Sequence, residues 1–369
     1  MSLMGSLALD NPRVLFVSNF AEMVGGGEHS LLDLIATLRG RVEPILTVPA
    51  EGEVARRGRA LGIPIAIVPQ PPIGWRALGG IVAWLKAVRA LKPDLIHANG
   101  SRSAFYAGIV GQRRKIPVLW HCRIADLDPR LDPILLKILT GIIANSHATA
   151  RRFGPRPPIP VTVVHNGFDL AHCREEVEAI PRPEKGRVIL AVARLSPSKR
   201  IEYLVDGFLA LQERFPNDHL WIVGDDDPAE VPYAQATREK SRPLGERVRW
   251  VGSVADVRPW YRAADWLALP SRREAFGRVV VEAMALGVPV LAFAQGGVPE
   301  IVRQGVDGVL VEQDGLEPWI AGLERVLTLE ETERAALGAA ARERSESFSL
   351  QATGSGVLDV YRQLLKVRV

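Results

Sequence analysis

The stretch SRREAFGRVVVEAMALGVPVLAFAQGGVPE, residues 271–300, decides the fold. Just before it, WLALP (266–270) is an apolar run of strand length, ended by Pro270 and Ser271. A polar loop carrying Glu274 then leads into a helix expected from Arg278 to Leu286, with Glu282 in its first or second turn. Gly287 and Pro289 stop that helix, VPVLAF (288–293) returns to the sheet, and Gly296-Gly297 opens a turn before a helix beginning near Pro299. This is a β-α-β-α unit. Open parallel sheets bind ligands outside the carboxyl ends of their strands, so Glu274, the Phe276-Gly277 turn and Gly296-Gly297 are expected around one crevice. Helix amino ends favour anions at the same edge. Two glutamates in different settings, flanking one strand-to-helix turn, read as ligand contacts.

Working outward, the second half restarts with strand VILAVAR (188–194), loop LSPSK (195–199) and a helix over 201–213. Strands LWIVGD (220–225), VRWVG (248–252) and WLALP follow, and two helices, from about Glu330 to Ser345 and over 348–365, close the chain. The first half opens with strand RVLFVSN (13–19), the glycine loop Gly25-Gly26-Gly27-Glu28, and a helix whose Leu31, Leu34, Ile35 and Leu38 share one stripe. Glycines let backbone N–H groups approach an anion, but the G-x-G-x-x-G spacing is absent, and a plain flexible loop fits equally well. Strands over 42–48, 63–68, 94–99, 117–122, 141–146 and 161–167 alternate with helices over 52–61, 78–91, 102–113 and 131–139. Such alternation predicts an α/β protein of two doubly wound, Rossmann-like domains facing across a cleft. Proline-rich segments at 154–160 and 178–186 put the boundary between Phe168 and Lys185. The expected division is 1–170, 171–350, and a terminal helix at 351–369 that returns to the first domain.

A length of 369 residues favours two domains, and 47% hydrophobic with 24% charged residues is globular rather than disordered composition. Cys122 and Cys173 form neither metal-ligand spacing nor a disulfide framework, which fits a reducing cytoplasm. No apolar run reaches membrane-spanning length; PILLKILTGIIA (133–144) carries Lys137, is broken at Gly141, and reads as a helix then a buried strand. MSLMGSLALD (1–10) lacks a basic n-region and cleavage signal. Residues 1–170 hold 20 Lys+Arg against 12 Asp+Glu, +8, while 171–369 hold 26 against 30, −4. The basic half suits an anionic membrane surface or a phosphorylated acceptor, or is simply a solvated face; with no accompanying motif, nucleic acid is not expected as a partner.

These residues resemble the retaining nucleotide-sugar glycosyltransferases of family four, which have the GT-B fold. EAFGRVVVE (274–282) matches that family's E-x7-E signature, supported by VARLSPSK (192–199), VHNGFD (164–169), IVGDDDP (222–228) and GGGE (25–28). The resemblance implies a donor bound mainly by the second domain and an acceptor bound mainly by the first. Glu274 would hold hydroxyls of the donor sugar and Glu282 the ribose hydroxyls, since a carboxylate accepts two directional hydrogen bonds from a diol. Arg194 and Lys199 would grip the diphosphate, whose charge grows as the glycosidic bond breaks; their bland reading is two surface cations. Backbone N–H groups at Phe276 and Gly277, and at Gly26 and Gly27, would meet sugar or phosphate, and the base would lie near Val251 and Gly252. His121 matches the family histidine that touches the donor sugar, although a histidine after an apolar strand is often a satisfied core residue. His97 and Asn99 are placed at the border of the acceptor site.

Two departures stand out. Lys199-Arg200 replaces the usual Lys-Gly, so a second cation lies near the phosphates or points outward. Asp225, Asp226 and Asp227 replace a glycine-containing turn and read as loop residues near the base. No cofactor and no metal are expected. The resulting expectation is a cytoplasmic enzyme, or one peripheral to the inner membrane face, that transfers a hexose-type sugar with retention from a nucleotide diphosphate sugar. The acceptor hydroxyl would belong to a glycan, a lipid-linked sugar or a small molecule, in cell-surface glycan, lipopolysaccharide or glycolipid biosynthesis. Its rivals are a nucleotide-sugar epimerase or a pyridoxal-phosphate phosphorylase of the same architecture, and a non-catalytic nucleotide-sugar binding protein.

Overall fold

The computed structural model describes residues 11–75 and 77–366. The opening stretch MSLMGSLALD and the last three residues of the expected terminal helix lie outside the described residues. The chain divides into two compact units: one runs to Phe168 and resumes at Ser349, and the other is Asp169–Phe348.

In the first unit β1 (Arg13–Ser18), β2 (Glu43–Val48), β3 (Ile65–Ile67), β4 (Leu95–Asn99), β5 (Val118–Cys122), β6 (Gly141–Ala144) and β7 (Val161–Val163) form one sheet in the order 3-2-1-4-5-6-7. All its pairings are parallel. Parallel strands need crossover connections that cover both faces with helices, which is why β1, β4 and β5 are buried on both sides. Val14 and Phe16 belong to one core and Leu15 and Val17 to the other, as the two-residue period of a strand requires. The terminal helix Leu350–Lys366 adds Val357, Leu358, Tyr361 and Leu364 to the first of these cores, beside helix Gly26–Leu38. Gly354 allows that approach: a Cβ there would lie 2.9 Å from Thr37 Cγ2.

In the second unit β8 (Val188–Val192), β9 (His219–Val223), β10 (Val248–Gly252), β11 (Trp266–Leu269), β12 (Val290–Phe293) and β13 (Gly308–Val311) form a parallel sheet in the order 10-9-8-11-12-13. Strand order therefore reverses beside β1 in one sheet and beside β8 in the other. Each sheet has a switch point between its first and fourth strands, where loops diverge and leave room for a ligand.

Several strands stop earlier than the sequence predicts, and two in the first unit show why. The strand expected over 141–146 ends at Ala144 because Ser146 caps the next helix, its hydroxyl accepting the Thr149 N–H at 3.0 Å. The strand expected over 161–167 ends at Val163, and the Thr353 hydroxyl of the terminal helix donates to the His165 carbonyl instead. The apolar segment 133–144 is a helix, Asp132–Ile138, followed by β6. Among the described residues, no helix is long and apolar enough to cross a membrane.

Candidate functional site

At the switch point of the second sheet, β8 leads into Arg194 and the loop to Lys199, and β11 leads into Glu274. The Lys199 ammonium pairs with Glu274 Oε1, both side chains being mostly buried. Arg194 keeps 64% of its side chain exposed and lies 3.3 Å from Asp227. Glu274 is followed by Phe276, whose ring packs at 5.7 Å against Phe348, and by Gly277, which precedes helix Arg278–Ala285 with φ +102°. That left-handed conformation suits glycine and turns the chain sharply from strand to helix. Glu282 sits one turn into this helix, where it accepts a 3.4 Å hydrogen bond from the Tyr261 hydroxyl and lies 3.6 Å from Arg278. The two glutamates thus flank one strand-to-helix turn.

Gly296 and Gly297 do something other than border a crevice. Gly296 (φ +64°) would place a Cβ 2.1 Å from the Glu274 carbonyl, and the Gly297 N–H donates to that same carbonyl at 2.8 Å. The pair is a backbone buttress that seats the Glu274 loop. Val251 and Gly252 end β10, and the Gly252 carbonyl accepts the Gly224 N–H at 2.8 Å.

The departures from the signature are resolved by pairing. Arg200 is buried, bonded through both terminal nitrogens to Asp314, and packed over the rings of Tyr203 and Phe293. It is neither a second phosphate cation nor an outward one. Asp225 accepts the Ser253 N–H at 2.8 Å, Asp226 takes a two-pronged pair with Arg238, and Asp227 faces Arg194.

The first unit gathers a second polar group at the carboxyl ends of β4 and β5. Asn99 ends β4, and its side chain donates to the Gly27 carbonyl at 3.1 Å while accepting from Arg123 Nε at 2.8 Å. Arg123 also bonds the Asn166 side chain and lies 3.3 Å from His121 Nδ1. His121 Nδ1 is 3.1 Å from His97 Nε2, and His97 Nδ1 is 2.6 Å from the Tyr361 hydroxyl. Burial, reinforced by Arg123, pushes His97 down to about 3 and His121 well below the ordinary histidine value, so both rings are neutral at pH 7. His121 Nε2 is buried with no hydrogen-bond partner among the described residues. His97 is fully buried with both ring nitrogens engaged, so it cannot border an acceptor as the sequence suggested. Gly26 and Gly27 open helix Gly26–Leu38, where first-turn N–H groups have no intrahelical acceptor. Glu28 beside them is buried, accepts the Gly25 N–H at 3.2 Å, and is raised by desolvation.

Sequence reasoning missed Arg123 and Tyr361. Arg123 stands one residue past β5, in the position where α/β proteins keep functional side chains. Tyr361 lies in a helix distant in sequence, and nothing in its local pattern points to His97.

Residues 24–172 match the family model described as Glycosyltransferase Family 4, and residues 186–328 the model described as Glycosyl transferases group 1. A D-inositol 3-phosphate glycosyltransferase of Salinispora arenicola is 37% identical over 225 residues, 55% of this chain and 50% of that one. One of Segniliparus rotundus is 32% identical over 236 residues, 61% of this chain and 52% of that one. The chain thus spans about half the length of the curated relatives it matches. The structure of Anabaena Alr3699/HepE in complex with UDP-glucose superposes with a TM-score of 0.79 at 24% identity, covering 96% of this chain and all of that one. A glycosyltransferase of Rickettsia africae ESF-5 gives 0.84 at 18% identity over 97% and 99% of the two chains. These structural likenesses, and that to a lipopolysaccharide outer core galactosyltransferase, WaaB (TM-score 0.74), establish the GT-B fold.

Proposed function

The chain belongs to glycosyltransferase family 4, and from that premise we propose that it transfers a hexose-type sugar, with retention, from a nucleotide diphosphate sugar to an acceptor hydroxyl. The observation that carries the proposal is the switch point of the second sheet, where Lys199 from the loop after β8 pairs with Glu274 from the loop after β11 and Arg194 follows the end of β8. Breaking the bond between anomeric carbon and phosphate oxygen leaves a diphosphate that gains negative charge. Two fixed cations at that edge stabilise the transition state more than the ground state. Glu274, oriented by Lys199, accepts hydrogen bonds from the sugar hydroxyls, and Glu282, in the helix that follows the same turn, takes the ribose diol.

Retention without a covalent intermediate requires no second carboxylate opposite the first. The departing phosphate oxygen takes the acceptor proton while the acceptor oxygen bonds the anomeric carbon on the same face. A uridine donor is supported by the Anabaena protein, whose structures hold UDP and UDP-glucose. A phosphorylated polyol acceptor is supported by the inositol phosphate named for the relatives and by the +8 charge of residues 1–170. The proposed location is cytoplasmic, at or near an anionic membrane face, and the reaction needs no metal.

The test is proton NMR of the chain incubated with UDP-, GDP- and ADP-α-hexoses, with and without inositol phosphate. Release or transfer of sugar appearing first as the α-anomer is expected. A β-anomer first, or conversion of the donor to its epimer without sugar release, would overturn the proposal.

A further inference from the structure

Three proton positions in the first unit follow from one fact: a guanidinium can only donate. Arg123 lies 3.3 Å from His121 Nδ1, so that nitrogen presents its lone pair. A neutral His121 therefore carries its proton on Nε2. The contact of 3.1 Å between His97 Nε2 and the same lone pair then makes His97 Nε2 the donor. His97 Nδ1 is left as an acceptor, 2.6 Å from the Tyr361 hydroxyl, which must donate to it. The reverse set of tautomers would turn a His121 N–H toward the guanidinium, donor against donor beside a cation. Burial keeps the Tyr361 phenol protonated and both rings uncharged, so each ring has one proton to place.

At the end of this chain stands His121 Nε2–H, buried and without an acceptor among the described residues. An unmet buried donor is costly, and it marks where an oxygen of a bound molecule belongs. We infer that Arg123, His97 and Tyr361 are positioning residues that together fix the tautomer of His121 and present its Nε2–H to a hydroxyl oxygen of the substrate. This rests on the glycosyltransferase reading for the identity of the substrate, but not for the relay itself. It gives the terminal helix a task beyond packing: Tyr361, 264 residues from His97 in sequence, holds His97 in the tautomer that donates to His121. A His97 ring that lost its Nδ1 partner would gain access to its other tautomer, leaving Arg123 alone to hold the His121 lone pair.

The test is long-range proton–nitrogen NMR of the full chain with nitrogen-15 histidine, free of ligand, with resonances assigned by His97→Gln and His121→Asn. Both rings are expected as Nε2–H tautomers from pH 6 to pH 8. Tyr361→Phe is expected to drive His97 into a tautomer mixture while circular dichroism stays unchanged. In the transfer assay Tyr361→Phe should lower kcat/KM about tenfold. His97→Gln, whose amide nitrogen can still donate to His121 Nδ1, should keep most activity where His97→Leu does not. A wild-type His121 protonated on Nδ1, or a Tyr361→Phe spectrum identical to wild type, would overturn the relay whatever the protein transfers. An intact relay with no transfer would instead count against the enzymatic reading alone.

Discussion

His97 gives the structure its clearest pH signature. In the unfolded chain its imidazole titrates near 6.5; folded, it is held down to about 3 by burial, with Arg123 adding repulsion. The groups facing it are His121, Arg123 and the Tyr361 hydroxyl, and among the described residues no carboxylate bonds it. Between these two values the unfolded state binds a proton that the folded state refuses. Stability from this residue is therefore fully present above about pH 6.5 and is lost as pH falls toward about 3. Each unit inside the window is worth up to ~1.4 kcal/mol, so acidifying from pH 7 to pH 5 costs ~2 kcal/mol for this ring alone. For a unit of this size that is ~4–8 °C in melting temperature. Thermal melts of wild type and His97→Gln at both pH values isolate the effect, because the carboxylates common to both proteins cancel in the difference. Wild type should drop further than the variant by that margin. Equal drops, or a larger one in the variant, would refute the claim that the ring is buried and neutral.

Other consequences follow from the site and its supports. Glu274→Gln removes the negative charge paired with Lys199 and turns one acceptor oxygen into a donor, and should lower kcat by ~10²-fold or more at saturating donor, with the melting temperature little changed. Gly296→Ala places a methyl group 2.1 Å from the Glu274 carbonyl at φ +64°, and should cost more than ~2 kcal/mol in denaturant unfolding of the second unit while weakening donor binding. Asp132 and Arg152 form a two-pronged ion pair with side chains only 4% and 3% exposed. Asp132→Ala should therefore destabilise the first unit by ~3–5 kcal/mol in denaturant titration, and Asp132→Leu with Arg152→Met should recover most of it.

Where the chain speaks locally, its sequence is readable. The strand at 266–269, the glutamate turn and helix Arg278–Ala285 follow from an apolar run, a Pro-Ser stop and a glycine with positive φ, all within twenty residues. Strand β13 and helix Leu316–Thr328 were less visible: the four-residue GVLV run is too short to show a period, although Trp319, Leu323, Val326 and Leu327 do line one helical face. The polar groups failed to read out wherever their partners are distant in sequence. Arg200 looks like a phosphate cation until Asp314 is seen beside it, 114 residues away. His97 looks like a site residue until Tyr361 is seen to occupy its outer nitrogen. Gly296 looks like a ligand loop until the Glu274 carbonyl fills the space where its side chain would stand. Residue type and local pattern announce that a position is special; only tertiary pairing says whether it faces a ligand or another residue.

Calorimetric titration with UDP, GDP, ADP and dTDP, on wild type and on Arg194→Ala, tests the donor-site reading most directly. One nucleotide should bind wild type in the presence of a chelator, with affinity at least about tenfold weaker in the variant, as loss of one charge-assisted contact to phosphate implies. Binding of none by demonstrably folded protein, or binding indifferent to Arg194, would contradict the account.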